Sequence, residues 1–281
     1  MSMFETEFHA GRMVLGGLEN RGQGKTIIGL HGYLDNAASL SVLAPFLHDY
    51  QFISLDMAGH GRSSHRPHGA HYNQIDYVQD LHAFFADNDF GQVILMGHSL
   101  GGIVATIYAA LFPEKIDAVI SLDACGPLTK PEETTTEQLR ESVLSRFEKT
   151  RNRLRVVDFE KAVNARCKIS DISADNARLI IRRNLTQDAS GHCFWASDPR
   201  LRTKSSLRMT EKQAENLMKN IRCPVWFGAA SKSFKELRRM YEKREPWFSQ
   251  SQLVEYEGGH HIHMEQTEAV ATGIKQFVEQ L

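Results

Sequence analysis

Gly91-Gln-Val-Ile-Leu-Met-Gly-His-Ser-Leu-Gly-Gly102 is the stretch from which the rest of the chain is read. Val93 to Met96 is a short, wholly apolar run of the kind that forms a buried parallel strand. Ile103 to Phe112 is rich in Ala, Leu and Ile, which suits a packed helix. Between them stands Gly97-His98-Ser99-Leu100-Gly101, a G-x-S-x-G at a strand-to-helix junction. A serine at the tip of such a turn takes a strained backbone. A glycine on either side leaves room where a side chain would strike the neighbouring strand or helix. The turn holds out the Ser99 hydroxyl and sets the N–H of Leu100 at the helix start, facing the reacting atom. The same letters also fit a glycine-rich turn whose serine merely caps the helix; the apolar strand before it and the helix after it favour a reactive serine.

On the N-terminal side, Phe4 to His9 and Met13 to Leu18 read as two short strands joined by a turn at Gly11. Lys25 to Leu30 reads as a buried strand leading into His31-Gly-Tyr-Leu-Asp-Asn36 and a helix over Ala37 to Leu47. Gln51 to Leu55 is the next strand, ending in Asp56-Met-Ala-Gly-His-Gly-Arg-Ser63. Ile75 to Asn88 has helical spacing, with Tyr77, Val78, Leu81, Phe84 and Phe85 on one face. On the C-terminal side, Ile116 to Leu122 is a strand ending at Asp123. This alternation, with polar residues in the strand-end loops, predicts an α/β fold with a mostly parallel, doubly wound sheet.

From Lys130 to Asn220 the character changes to helical patterns without strong strand runs, with 19 Lys and Arg against 13 Asp and Glu. A helical cap over residues 128–220 is therefore expected, inserted between a first core part at 1–127 and a second at 221–281. Arg222 to Ala230 resumes the sheet, Phe234 to Lys243 is a helix, Gln252 to Tyr256 a last strand and Glu268 to Gln280 a closing helix. Neither an internal repeat nor a low-complexity tract interrupts this order. The cationic balance of the insertion suits either a solvated helical face or an anionic substrate.

The whole-chain composition, 42% hydrophobic and 24% charged over 281 residues, is that of a soluble globular protein. A formal net charge of -1 gives no reason to expect nucleic acid. The acidic start, Met1-Ser-Met-Phe-Glu-Thr-Glu-Phe8, lacks the apolar centre of a signal peptide, and no apolar run is long enough to span a bilayer. Cys125, Cys167, Cys193 and Cys223 are scattered without metal-ligand spacing, so reduced thiols in a cytoplasmic protein are the expectation.

His31-Gly32, the loop Asp56-x-x-Gly59-His60-Gly61-Arg62-Ser63, the Ser99 turn and Gly259-His260 stand together in the order of the α/β-hydrolase family, which the chain resembles over Lys25 to Leu122 and from Arg222 onward. More narrowly, His31 to Asn36, Ser63 to Pro67, Trp195-x-x-Asp198-Pro-Arg-Leu201 and Gly258 to Glu265 resemble its serine hydrolase-like, kraken-type branch. The resemblance implies an eight-stranded sheet, Ser99 as nucleophile, and a base in the loop after the last strand. Of 13 histidines, His260 is in register there, preceding His263-Met264-Glu265 by three; His261 competes for the role, and His261 and His263 are otherwise structural. Many relatives place the acid in the loop after the strand Val225 to Ala230, but here that loop reads Ser231-Lys-Ser-Phe234. Other relatives place it one strand earlier, where Asp123 stands; Asp198 and Glu236 are lesser candidates. The oxyanion donors implied are the backbone N–H groups of Leu100 and Tyr33.

The remaining polar and aromatic residues are most simply structural: Asp56 and His60 within their loop, His65, His68 and His71 in a solvated loop, and Phe84, Phe85, Trp226 and Phe227 in the core. Phe194 and Trp195 either line a pocket or pin the insertion to the sheet. The expected activity is hydrolysis of a small-molecule carboxylic ester through an acyl-enzyme, with neither cofactor nor metal. Thioesters, lactones and C–C bonds use the same machinery, and a catalytically silent binding protein of this fold is the rival from another class.

Overall fold

The computed structural model describes residues 2–149, 155–233 and 235–281. Phe4–Ala10 (β1) and Met13–Glu19 (β2) form an antiparallel hairpin, followed by the fully buried Thr26–Leu30 (β3). Ala37–Ser41 (α1) is shorter than the helix expected to run to Leu47. Pro45 has no N–H to extend the hydrogen-bond ladder, and the chain passes into one 3₁₀ turn at Ala44–Phe46. Gln51–Leu55 (β4) and Gln74–Asp87 (α2) follow, α2 burying Tyr77, Val78, Leu81, Phe84 and Phe85 as their spacing requires. Val93–His98 (β5), Leu100–Leu111 (α3) and Ile116–Leu122 (β6) are almost wholly buried.

The inserted segment holds Thr135–Lys149 (α4), Phe159–Ser170 (α5), Ala174–Arg183 (α6), a small hairpin of Leu185–Gln187 (β7) and Cys193–Trp195 (β8), and Glu211–Met218 (α7). The hairpin was not expected; three-residue strands carry too few alternating positions to register as a pattern. Val225–Ala230 (β9), Lys235–Arg244 (α8), Ser251–Tyr256 (β10), Ile262–Glu265 (α9) and Thr267–Val278 (α10) complete the chain.

The main sheet has eight strands in the order β1-β2-β4-β3-β5-β6-β9-β10. The β1–β2 and β2–β4 pairs are antiparallel and all others parallel. Strands β3 to β10 of this sheet therefore end on one edge, the edge at which doubly wound sheets bind ligands. Helices cover both faces because β3 and β5 are apolar on both. Ile28, Leu95 and Val119 pack under α2 and α3, while Ile27, Ile94 and Ile120 pack under α1 and α10. Truncating one such residue to alanine costs about 2–5 kcal/mol.

The insertion is attached to the sheet in two ways. Helices α5 and α6 close a small apolar cluster of their own around Val163, Ala177 and Ile180, sealed by Met264. Helix α7 instead buries Ala214 and Met218 in the same cluster as Val225 and Phe227. Buried charge adds to this attachment. Arg183 of α6 donates to both carboxylate oxygens of Asp56 at 2.8–3.0 Å and reaches Glu5 of β1 at 2.7 Å.

Candidate active site

Four strand ends converge on the carboxyl edge of the sheet. Ser99 follows β5 directly, with φ 50° and ψ -113°, a conformation that only a tightly determined turn retains. The two glycines of the motif make that turn possible. A Cβ on Gly97 would lie 2.2 Å from the carbonyl carbon of Gly101, and one on Gly101 would lie 2.0 Å from the Leu30 oxygen. Ser99 N–H donates to Leu122 O at 2.9 Å and Gly101 N–H to His31 O at 3.1 Å, which ties the turn to the ends of β6 and β3. Leu100 is the first residue of α3, so its N–H belongs to the unpaired set at a helix start. Tyr33 follows Gly32 in the loop after β3, on the other side of the same turn.

Asp123 stands at the end of β6, also in a left-handed conformation, with φ 52°. Its N–H donates to Gly228 O at 2.7 Å. One carboxylate oxygen accepts from Ala230 N–H at 3.0 Å; the other accepts from the Ser233 hydroxyl and contacts His260 Nδ1. Thus the carboxylate expected one strand early does reach the histidine loop. The serine-rich loop after β9, which lacks an acid, supplies the donor that orients it. Ser233 was not anticipated, because a hydroxyl serving a carboxylate 110 residues away leaves no local pattern. Arg244, almost fully buried, holds the chain just beyond Asp123 by donating to Cys125 O at 2.7 Å and Pro127 O at 2.8 Å.

Ser99, His260 and Asp123 line one cavity of about 760 Å³, together with Gly32, Tyr33 and His98. Residues of the inserted segment, among them Leu128, Arg166 and Ile169, supply its far wall. The His260 side chain is 21% exposed, whereas the Asp123 side chain is fully buried. A histidine with one ring nitrogen on a carboxylate and its ring bordering a cavity shared with a serine is the arrangement for general-base activation of a hydroxyl.

A second carboxylate–histidine group lies directly behind. Asp35 contacts Arg166 of α5 and His261 Nε2, the latter at 3.2 Å, and lies 3.5 Å from His98 Nδ1. Burial alone would raise the Asp35 carboxyl, but Arg166 and His261 outweigh it and hold it well below the usual carboxylate range. His98 Nε2–H donates to the His260 carbonyl at 2.9 Å, and burial lowers its pKa to about 4. His263 meets the Ser39 hydroxyl at 2.8 Å and is likewise held low by burial. His261 and His263 therefore face Asp35 and Ser39 rather than Asp123. Among the described residues, Asp35, His98 and His261 form the one group spaced to hold a metal ion. Arg166 contacts both Asp35 and His261 and already places a positive charge there.

The other candidates lie elsewhere. Asp198 caps the turn at Pro199–Arg202, pairs with Arg200 at 2.6 Å and accepts from the Tyr72 hydroxyl at 2.8 Å. The Glu236 side chain lies outside the described residues. Asp56 binds Ala37 N–H at 2.7 Å and Arg62 N–H at 2.9 Å as a loop organiser, although its buried partner Arg183 was not foreseen. His60 is buried beside His31, with its pKa lowered to about 3 by burial and then by His31. His65 bonds the Ala196 carbonyl at 2.8 Å, and Trp195 is 37% exposed on the β7–β8 hairpin. Trp226 and Phe227 are core residues, as expected.

A doubly wound sheet carrying a serine on a strained strand-to-helix turn and a carboxylate–histidine pair beside it defines a hydrolase of the α/β type. The chain belongs to the alpha/beta hydrolase fold family, which matches residues 25–267. It is 30% identical over 270 residues to a serine hydrolase-like protein of Danio rerio, covering 91% of this chain and 82% of that one. Serine hydrolase-like protein 2 of Homo sapiens is 27% identical over 276 residues, covering 92% and 88%. The crystal structure of the hypothetical protein PA1622 from Pseudomonas aeruginosa PAO1 has a TM-score of 0.89 at 31% identity, covering 98% and 99%. These similarities bear out the serine hydrolase-like branch. Among the described residues no helix is long and apolar enough to cross a membrane.

Proposed function

We propose that the protein hydrolyses carboxylic esters of small or medium acyl groups through an acyl-enzyme on Ser99. The observation that carries this reading is the contact of His260 Nδ1 with a fully buried Asp123, at the edge of a cavity that Ser99 also lines. In this mechanism His260 takes the Ser99 proton as the hydroxyl attacks the carbonyl carbon. The N–H groups of Leu100 and Tyr33 receive the developing oxyanion. His260 returns the proton to the departing alcohol, then activates a water that releases the acid and restores Ser99. Asp123 keeps the imidazole oriented and stabilises its protonated form. A cytoplasmic location belongs to the same reading.

Residues 128–220 act as the cap. Ile169 and Arg166 stand across the cavity from the Ser99 turn, which favours compact substrates over long lipid chains. The test is a fluorophosphonate probe read by intact mass, followed by a panel of p-nitrophenyl esters, thioesters and lactones. Labelling that disappears in Ser99→Ala, with turnover of butyrate esters, is the expected result. Folded protein that resists labelling, or efficient turnover of emulsified long-chain fat with little on butyrate, would overturn it.

A further inference from the structure

Ser99 also borders a second cavity, of about 640 Å³, shared with Tyr33 and Leu100 but not with His260. One wall is α2 and the loop before it, through Tyr72 and Tyr77; another is the strap from Leu201 to Arg208 in the inserted segment. Its charge is one-sided: Lys130, Arg202, Lys204 and Arg208 line it against a single carboxylate, Glu141. Lys204 pairs with that carboxylate at 2.9 Å. Among the described residues, no carboxylate lies within ion-pair distance of Lys130, Arg202 or Arg208.

The strap is held in place along its length. The Tyr33 hydroxyl donates to Leu201 O at 3.0 Å, Ser142 Oγ donates to Lys204 O at 3.0 Å, and Arg208 N–H donates to Gln138 at 3.0 Å. Arg202 sits close enough to Tyr33 for its charge to draw the hydroxyl pKa down against the upward push of burial. A cationic wall held in place by the strap therefore stands beside the serine, in a concave site that gathers its positive charge on one side, although Arg202, Lys204 and Arg208 remain exposed to solvent.

The position of His260 decides which part of a substrate enters. A base that takes the Ser99 proton must pass it to the leaving atom, so the leaving group lies in the cavity that His260 borders. The acyl part then points into the second cavity. We infer that this second cavity receives an acyl group carrying its own negative charge, a carboxylate or a phosphate several bonds from the scissile carbonyl, with Arg202 and Lys130 meeting the anion. The inference rests on the serine-hydrolase reading above and narrows its substrate class. In the full reaction Ser99 Oγ displaces the alcohol, His260 protonates it, and water then cleaves the acyl-enzyme to release an acid with two anionic groups.

Three esters of equal reach separate the cases: p-nitrophenyl hexanoate, mono-p-nitrophenyl adipate and p-nitrophenyl 5-phosphonopentanoate. At low ionic strength kcat/KM for one or both anionic esters is expected to exceed that for the hexanoate by about tenfold or more, and added salt should shrink the ratio. Preference for the adipate ester assigns a carboxylate; preference for the phosphonate assigns a phosphate. Joint substitution Arg202→Gln and Lys130→Gln should bring the ratio near one, whereas Arg202→Lys should keep most of it. Labelled Ser99 with hexanoate cleaved as well as both anionic esters overturns this inference alone, as does a double variant that keeps the wild-type ratio. Unlabelled Ser99 with no turnover of any ester overturns the underlying reading and this inference with it.

Discussion

Asp123 and Asp35 each hold a histidine at the edge of one cavity, with side chains 0% and 1% exposed, yet their surroundings differ in kind. Asp123 accepts from two neutral donors, Ala230 N–H and the Ser233 hydroxyl, and among the described residues no lysine or arginine pairs with it. Asp35 is closed by the guanidinium of Arg166 and further occupied by His261 and Ser39. A carboxylate held by neutral donors keeps its charge available to an imidazolium that forms beside it. A carboxylate already matched by arginine has spent that attraction, and its histidines serve as packing and wiring. Two like-looking pairs thus divide into one suited to proton transfer and one suited to holding a loop.

The largest expected break in this contrast is Asp123→Asn. The amide keeps the volume but removes the charge and can present an N–H to His260, so acylation should slow by about 10² to 10⁴ with the melting temperature little changed. Ser99→Ala should lose as much or more, and the double variant should be no worse than Ser99→Ala, because the groups act together. Burst kinetics with p-nitrophenyl butyrate measures all three. Near-normal turnover in Asp123→Asn, with loss in Asp198→Asn or Glu236→Gln, would move the acid elsewhere.

Asp35→Asn should do the reverse. Leaving Arg166, whose side chain is 15% exposed, without its carboxylate costs at most about 3 kcal/mol of stability, a fall of roughly 10 °C or less in melting temperature. Turnover by the remaining folded enzyme should drop less than tenfold. Adding Arg166→Gln should restore part of the lost stability. An Asp35→Asn protein that melts normally but loses activity a hundredfold would erase the distinction between the two carboxylates.

Acid should expose the buried histidines before it protonates Asp35. Burial lowers His98 to about 4 and His60 to about 3, while an unfolded imidazole titrates near 6.5. As pH falls below about 6.5 the unfolded chain takes up these protons first, so stability is full above that point and declines toward pH 4 and below. His98 alone accounts for about 3 kcal/mol of this by pH 4. The depressed Asp35 adds a further loss only below the usual carboxylate range. Urea midpoints between pH 7 and 4 test the order; a flat profile would contradict it. The smallest effect expected is from Ser233→Ala, which removes one donor from Asp123 and should lower kcat/KM about tenfold, a hydrogen bond to a charged group contributing about 1.5–3 kcal/mol.

The parts legible in the sequence are those built from local pattern. β3, β5 and β6 are runs of apolar residues, and the Ser99 turn is spelled by glycines whose absent side chains the geometry demands. The candidates His260 and Asp123 come from the resemblance to the α/β-hydrolase family, which names the loop after the last strand and the end of β6, rather than from apolar pattern alone. What escaped is long-range charge. Arg166 meets Asp35 across 131 residues, and Arg183 meets Asp56 across 127, from helices whose arginines look like any solvated face. The same holds for Arg202, whose meaning comes from the strap's position beside Tyr33 rather than from its neighbours in sequence.

The bond between Arg183 and Asp56 has a consequence for how the chain is made. Asp56 organises the loop after β4, yet the cation that neutralises it is added 127 residues later. At about 5–20 residues per second, synthesis takes roughly 6 to 25 s to supply it. Over that interval the first strands can pair, but sealing the Asp56 loop would bury a carboxylate held only by backbone N–H groups such as those of Ala37 and Arg62, without its cation. The loop after β4 therefore gains its cation only once α6 has been made, and the site closes later still, when the loop that carries His260 follows β10.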